Sequence, residues 1–258
     1  MSGWMTVAVK ELRDHYRDRR SLVSAALYSL MGPVVILLVT QSPAAIKGGA
    51  PLLLSMMSVF ALVSAFTGGM FLAMDATAGE RERGSLVPLL LNPIPSLQLI
   101  AGKWIAVGVF AIAGLLLNLA AFTAVFEWSG VNPPRSLIAP LLLWVACGLV
   151  PVALLGAAIH LLTGAASRTL KEAQARLTIV ALVPMMTSMF LVFFPGMISR
   201  WWIAIPVIGQ QALINEALRG RAVTLLQAVT LAIMTPATTA ALVLAAGRVM
   251  HRNEVTAG

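Results

Sequence analysis

DATAGERERGSLVPLLLNPIPSLQLIAGK, residues Asp75 to Lys103, is a polar island between two long apolar runs. It sets Glu80, Arg81, Glu82 and Arg83 at consecutive positions, followed by Gly84 and Ser85, a leucine-rich turn, and Pro93 and Pro95. Upstream, residues 52–74 are almost continuously apolar, and downstream the run resumes at Trp104 and reaches Phe126. About 20 predominantly apolar residues cross a hydrocarbon core. Each flank is therefore long enough to span a bilayer, and the island is the connection between two spans.

The rest of the chain repeats that pattern. Its 258 residues are 59% hydrophobic and 11% charged, with a mean hydropathy of +0.89, outside the balance of soluble domains. Further apolar segments at residues 22–39, 137–162, 177–194 and 225–246 bring the expected spans to six. The expectation is an all-α integral membrane protein whose residues 1–258 form a single transmembrane domain, with no large soluble domain between spans. The net charge of +8 does not indicate a nucleic-acid partner, because basic residues sit at the ends of apolar segments rather than in a stripe. Thirteen of the eighteen, from Lys10 to Arg20, at Arg81, Arg83 and Lys103, around Arg168 to Arg176, and at Arg248 and Arg252, fall on one side. The positive-inside rule then puts both termini and the Glu80 region in the cytoplasm. Cys147, the single cysteine, excludes an internal disulfide or a cysteine metal cluster. The first apolar run follows a long charged segment, which argues against a cleavable signal peptide.

Residues 1–20 read as an amphipathic helix on the membrane surface, with Met5, Ala8, Val9, Leu12 and Tyr16 on one stripe in the headgroup boundary. A solvated basic tail is the alternative. Gly68 and Gly69 let another helix approach the second span, while Trp104 and Trp128 are expected at the two interfaces of the third. In the segment 198–221, Ile208–Leu218 reads as a short helix on the outer surface. Gln211, Asn215 and Arg219 recur there at spacing four, Trp201 and Trp202 hold its approach, and Gln211, Asn215 and Glu216 are its candidate functional positions.

Chemistry within the spans is sparse. Asp75 at the rim of the second span, Asn118 in the third and His160 in the fourth are the candidate path or interhelical polar groups. A helix-end partner for Asp75, a helix-to-helix hydrogen bond for Asn118 and an interfacial hydrogen bond for His160 are the structural readings. An intramembrane enzyme acting on lipid or peptide through His160 and Asp75 is a rival reading, and an ion-coupled carrier is another. No HExxH, GxSxG or GxxxxGK[ST] occurs, so no catalytic or metal-ligating set is assigned, and any ATP that drives the protein is hydrolysed by another polypeptide. Glu80 to Arg83 would ring the start of a short inner helix whose apolar face is Leu86, Leu89 and Leu90. That helix either docks a soluble partner or is a solvated loop.

GERERGSLVPLLLNPIPSLQLIAGKWIAV resembles the signature of permease subunits of type-2 ABC transporters. KELRDHYRDRRSL resembles that superfamily's amphipathic N-terminal segment, RTLKEAQARLTIVALVP its approach to the fifth span, and IPVIGQQALINEALRGR with VMHRNEV the end of its NatB-like, sodium-efflux branch. The resemblance implies an exporter permease fold of six spans in which two permease subunits pair around a path. It also implies two separate ABC ATPase subunits below that bind ATP and Mg2+, with no cofactor in this chain. Glu80, Arg81, Glu82, Arg83, Gly84, Ser85, Leu86, Leu89 and Leu90 would form the coupling helix that docks the ATPase. Lys10, Glu11, Arg13, Arg17 and Arg19 would belong to an interfacial connecting helix, and the membrane would be a bacterial-type inner membrane. The chain departs from that branch in having only QSPAAIKGGAP where a large outer domain is usual, and Val87 where Glu is frequent. The substrate implied is open: Na+, a small molecule, a peptide or a lipid-linked compound.

Overall fold

The structure, a computed structural model, describes residues 3–41, 49–84, 95–130, 142, 144–194, 200–221 and 223–257. Among these every regular element is helical, and six helices are long and apolar enough to cross a membrane. The N-terminal helix α1 (Gly3–Arg17) precedes the first span, α2 (Arg19–Thr40). The second span, Leu52–Glu82, is built from α3 (Gly49–Thr67), α4 (Met70–Met74), a π-helical turn (Asp75–Gly79) and the last turn α5 (Glu80–Glu82). The third is α6 (Ser96–Ser129), and the fourth a π-turn (Val145–Leu149) running into α7 (Val150–Ala165). The fifth is α8 (Leu170–Phe193); after the 3-10 turn Arg200–Ala204 and α9 (Ile208–Leu218) comes the sixth, α10 (Leu225–Ala257).

α7 lies at the centre, packed against α3, α6, α8 and α10. Its close neighbours are possible because two of its residues have no side chain. A Cβ on Gly156 would overlap the carbonyl of Phe66, and one on Gly164 would overlap Thr77 Oγ1, so the fourth span meets the second backbone to backbone. With no hydrophobic force between helices in lipid, such contacts supply the packing. Gly69 plays the role expected of it, with Val107 of α6 2.5 Å from where its Cβ would be. The main apolar core gathers Leu62, Phe66, Leu115, Leu149 and Leu155 from three spans. At the other end of the chain, Val7, Leu99, Ile100, Ala246 and Met250 cluster, bringing the N-terminal and C-terminal helices to the start of α6.

Three boundaries differ from the sequence reading. The second span extends past Met74 to Glu82, so Glu80 to Arg83 close that span and do not open a separate helix. The third begins at Ser96, where the carbonyl of Pro95 accepts from the amides of Gln98 and Leu99. Trp104 is thereby placed inside the bundle, its indole donating to the carbonyl of Leu154 at 2.9 Å, while Trp128 is exposed at the far end. The fifth begins at Leu170 because Thr169 caps it, its hydroxyl accepting from the Glu172 amide.

α9 keeps the bounds expected of it, Ile208–Leu218. Its polar face is turned into the bundle: Gln211 donates to Ser58 Oγ at 2.8 Å and to Asn215 at 3.1 Å, and Gln210 donates to Thr235 at 2.7 Å. Gln210, Gln211 and Asn215 are all buried. In an apolar solvent a polar face finds partners only inside the protein. The chain enters α9 through Val207 at φ 75°, ψ −55°, a rare positive-φ turn held by Gln210, whose side-chain oxygen accepts from the Val207 amide. Arg219 donates to the carbonyl of Val192, tying the exit of α9 to the end of α8, and Glu216 pairs with Arg221 at 3.2 Å.

Candidate functional site

The four consecutive charges of the island meet four different neighbours, and together they form a junction at one end of the bundle. Successive residues of a helix project about 100° apart, so Glu80 to Arg83 fan out around the last turn of the second span. Glu80 is buried and accepts from Lys103 of α6 at 2.8 Å. Lys103 is fully enclosed, and its second carboxylate partner is Glu11 of α1 at 2.9 Å. Lys10, half-exposed at the rim, lies 3.6 Å from Glu80 and 3.4 Å from Glu11. Burial disfavours its charge, yet Glu11, Glu80 and Asp14 outweigh that and raise its pKa above the ordinary lysine value. A buried charge must be paired and hydrogen-bonded, and here one ammonium joins three helices.

Arg81 points the other way. Its guanidinium donates to the carbonyls of Ser167 at 2.6 Å and Ala165 at 2.9 Å, where α7 ends. Glu82 accepts from the amide of Leu170 at 2.8 Å, the first residue of α8. A cation thus sits at a helix C-terminus and an anion at a helix N-terminus, each matching the helix dipole it faces. Arg83 folds back over the π-turn to Asp75 at 2.7 Å, directly above Gly79. The bond to Asp75 raises the Arg83 pKa.

The structure therefore places Glu80, Arg81, Glu82 and Arg83 in contact with their own chain. The sequence reading had them as donors and acceptors offered to a docking surface; Glu80 in particular faces inward. Gly84 comes next in a left-handed turn at φ 68°, and Ser85, Leu86, Leu89 and Leu90 lie outside the described residues. Of the N-terminal candidates, Glu11 is buried, while Arg13, Arg17 and Arg19 are exposed. α1 lies along α6, with the carbonyl of Trp4 2.5 Å from where a Gly102 Cβ would be and His15 edge-on to Phe110 at 6.0 Å. Its buried residues are Val7, Ala8, Glu11 and His15, whereas Met5, Val9 and Tyr16 face outward as an apolar stripe. Ala8 was expected on that stripe; the α6 contact claims it.

The remaining candidates are separate from the junction or at its edge. Asn118 donates to the carbonyl of Ser29 at 2.6 Å. That carbonyl is the one Pro33, four residues on, cannot engage for want of an N–H. Asn118 is thus a helix-to-helix bond that repairs a proline break. His160 is enclosed beside Phe66, ring centroids 5.1 Å apart, and neither ring nitrogen has a hydrogen-bond partner. Asp75 is engaged by Arg83, and no hydrogen bond joins it to His160. Sequence reasoning missed Lys103, which it counted only as a topology charge. The signal was available in one respect: a lysine followed directly by an apolar run of about 20 residues lies inside the helix that carries it.

A family model described as ABC-2 family transporter protein matches residues 5–252. The chain is also similar to the ABC transporter permease protein NatB of Bacillus subtilis (strain 168), 31% identical over 193 residues. That match covers 67% of this chain and 47% of the relative, so the chain spans about half the length of the permease it resembles. With six apolar spans and a family model matching nearly its whole length, the chain belongs to the ABC-2 transporter family and is a multi-pass membrane protein.

Proposed function

We propose that this chain is the membrane half of an ATP-driven exporter, paired with a second permease subunit and served by two separate ATPase subunits that bind ATP and Mg2+. The single observation that carries the reading is the junction: the end of the second span is hydrogen-bonded to α6, α7 and α8 and ion-paired with Lys10 of α1. A pull or push on the segment 85–94 then acts on α1 and α6 through the buried bonds of Glu80, and on the α7–α8 turn through the more exposed bonds of Arg81 and Glu82. A docking element needs such a footing, and a passive loop does not. On this reading the membrane is a bacterial-type inner membrane, and the basic bias supports a cytoplasmic location for this end and both termini. Ser85, Leu86, Leu89 and Leu90 are the docking positions on this reading, with Glu80 to Arg83 as their footing. The substrate class is an ion, a small molecule, a peptide or a lipid-linked compound.

The test is purification of the tagged chain from gently solubilised membranes. Two ATPase subunits and one second permease subunit per tagged chain are expected to accompany it. Leu86→Asp with Leu90→Asp should release the ATPase while the permease remains folded and membrane-inserted. A wild-type chain that purifies alone, with ATPase activity absent from the preparation, overturns the proposal.

A further inference from the structure

The bonds of the junction fall into two kinds. Those of Glu80 are buried: the Lys103 side chain is 0% exposed, Glu11 5% and Glu80 9%. Those of Arg83 and Glu82 are open to solvent, and that of Arg81 is partly so. The two kinds respond differently to motion. Drawing α1 away from α6 would strand a fully buried ammonium with half its partners, which the low-dielectric surroundings penalise heavily. Breaking a solvent-exposed carboxylate or guanidinium contact exchanges it for water at little cost. An apolar trio could fill the same space with equal or greater stability. What the ionic trio adds is a fixed angle between three helices, since the ammonium donates in defined directions to carboxylates from two other elements.

We propose that Lys103 is a positioning residue that locks α1, the start of α6 and the last turn of the second span into one moving body. The contacts that slip are those of Arg81 and Glu82 with Ala165, Ser167 and Leu170, so that this body shifts against the α7–α8 turn during transport. α1 is then a moving part of the permease, not a fixed surface anchor. Gly102 supports this, since it brings the α1 backbone flush against α6 one residue from Lys103. So does Lys10, which ties α1 to Glu80 a second time. The inference rests on the ATPase-driven reading above.

The experiment uses the assembled complex on a Cys147→Ala background, with spin labels at exposed positions in two pairings, Tyr16 with Gln98 and Gln98 with Lys171. Between nucleotide-free and nucleotide-trapped states the Tyr16–Gln98 distance should stay constant and the Gln98–Lys171 distance should shift. In Lys103→Met the Tyr16–Gln98 distribution should broaden and become nucleotide-dependent, and transport should fall several-fold, with the ATPase still bound. Glu11→Gln, which keeps a hydrogen-bond acceptor, is the milder variant should Lys103→Met fail to fold, and is expected to shift the distribution in the same direction. A Tyr16–Gln98 distance that moves as much as Gln98–Lys171 in the wild type, or a Glu11→Gln complex indistinguishable from it, overturns the inference. If no ATPase accompanies the wild type, the reading beneath it fails instead.

Discussion

Replacing Arg81 by Met removes a fork that closes the end of α7. Its two bonds, 2.6 and 2.9 Å to the carbonyls of Ser167 and Ala165, are charge-assisted. Each such bond is worth about 1.5–3 kcal/mol when well shielded, and a cation at a helix C-terminus adds about 0.3–1 kcal/mol. Arg81 is only half-buried, so water competes for both carbonyls and the low end of the range applies. The Met side chain also keeps much of the stem's packing. We expect Arg81→Met to lower the unfolding free energy by about 2 kcal/mol. Arg81→Lys keeps the charge but can reach both carbonyls only as a point donor, and should cost about half as much. The neighbouring Glu82→Gln retains an acceptor for the Leu170 amide and should cost about 0.5 kcal/mol.

Reversible unfolding in mixed micelles, together with the exchange protection of the amides of residues 165–170, measures these differences. Because Arg81 and Glu82 hold the two ends of one turn, the double variant should depart from additivity by more than about 0.5 kcal/mol. Arg81→Lys behaving as the wild type would mean that charge alone matters and that the bidentate geometry is incidental. Arg81→Met within about 0.5 kcal/mol of the wild type would refute the cross-capping argument altogether.

Two other outcomes are expected from the same geometry. Burial holds the His15 pKa below the ordinary histidine value, despite Asp75, Glu11, Asp18 and Asp14 nearby. The folded chain therefore resists a proton that the unfolded chain accepts: stability is full above the unfolded value near 6.5 and falls as pH drops below it, by up to about 1.4 kcal/mol per pH unit. His15→Phe should flatten that slope below about pH 6.5, and an unchanged slope in acid-titrated unfolding would assign it to other groups. For Asn118, the cost of Asn118→Ala should be about 1–2 kcal/mol in the wild type and markedly smaller in Pro33→Ala, where a restored backbone amide takes the Ser29 carbonyl. Equal costs in both backgrounds, measured as a double-mutant cycle, would show that the proline and the asparagine are unrelated.

The spans were legible because hydropathy accumulates along the chain and needs no partner to be read. Gly68 and Gly69 were legible for a related reason, since an absent side chain admits whatever helix comes near. The partners were not. Glu11 and Lys103 are 92 residues apart, and Glu80 and Lys103 23, so nothing local marks the three as one site. Each alone looks like a charge that ends a span, and the span boundaries at Met74 and Trp104 were drawn short for that reason. The pairing lets α6 carry Lys103 within its length and lets the second span continue to Glu82. The bounds of α9 were legible, but what its polar face meets was not. A polar face at spacing four faces water on a soluble helix and faces the protein in lipid, and the pattern of Gln211 and Asn215 is the same in both.

Four consecutive charges carry more information than their composition suggests. On a helix they project in four directions about 100° apart. In or near a membrane each must find a partner or reach water, so such a run forces its turn to be surrounded. Glu80 to Arg83 could therefore announce that several elements converge on one turn, though not which elements. The convergence also accounts for the first of the two π-turns, Asp75–Gly79 in the second span; the other, Val145–Leu149, leads into the central α7. The extra residue of the first turn changes the angular phase of the helix beyond it, and α5 has to present Glu80 to α6 and Arg81 to α7 at the same time. The Asp75–Arg83 bridge spans that turn and holds its phase. Removing one residue from 75–79 would rotate all four charges by about 100° and misdirect every one of them, a far larger loss than any single substitution in the junction.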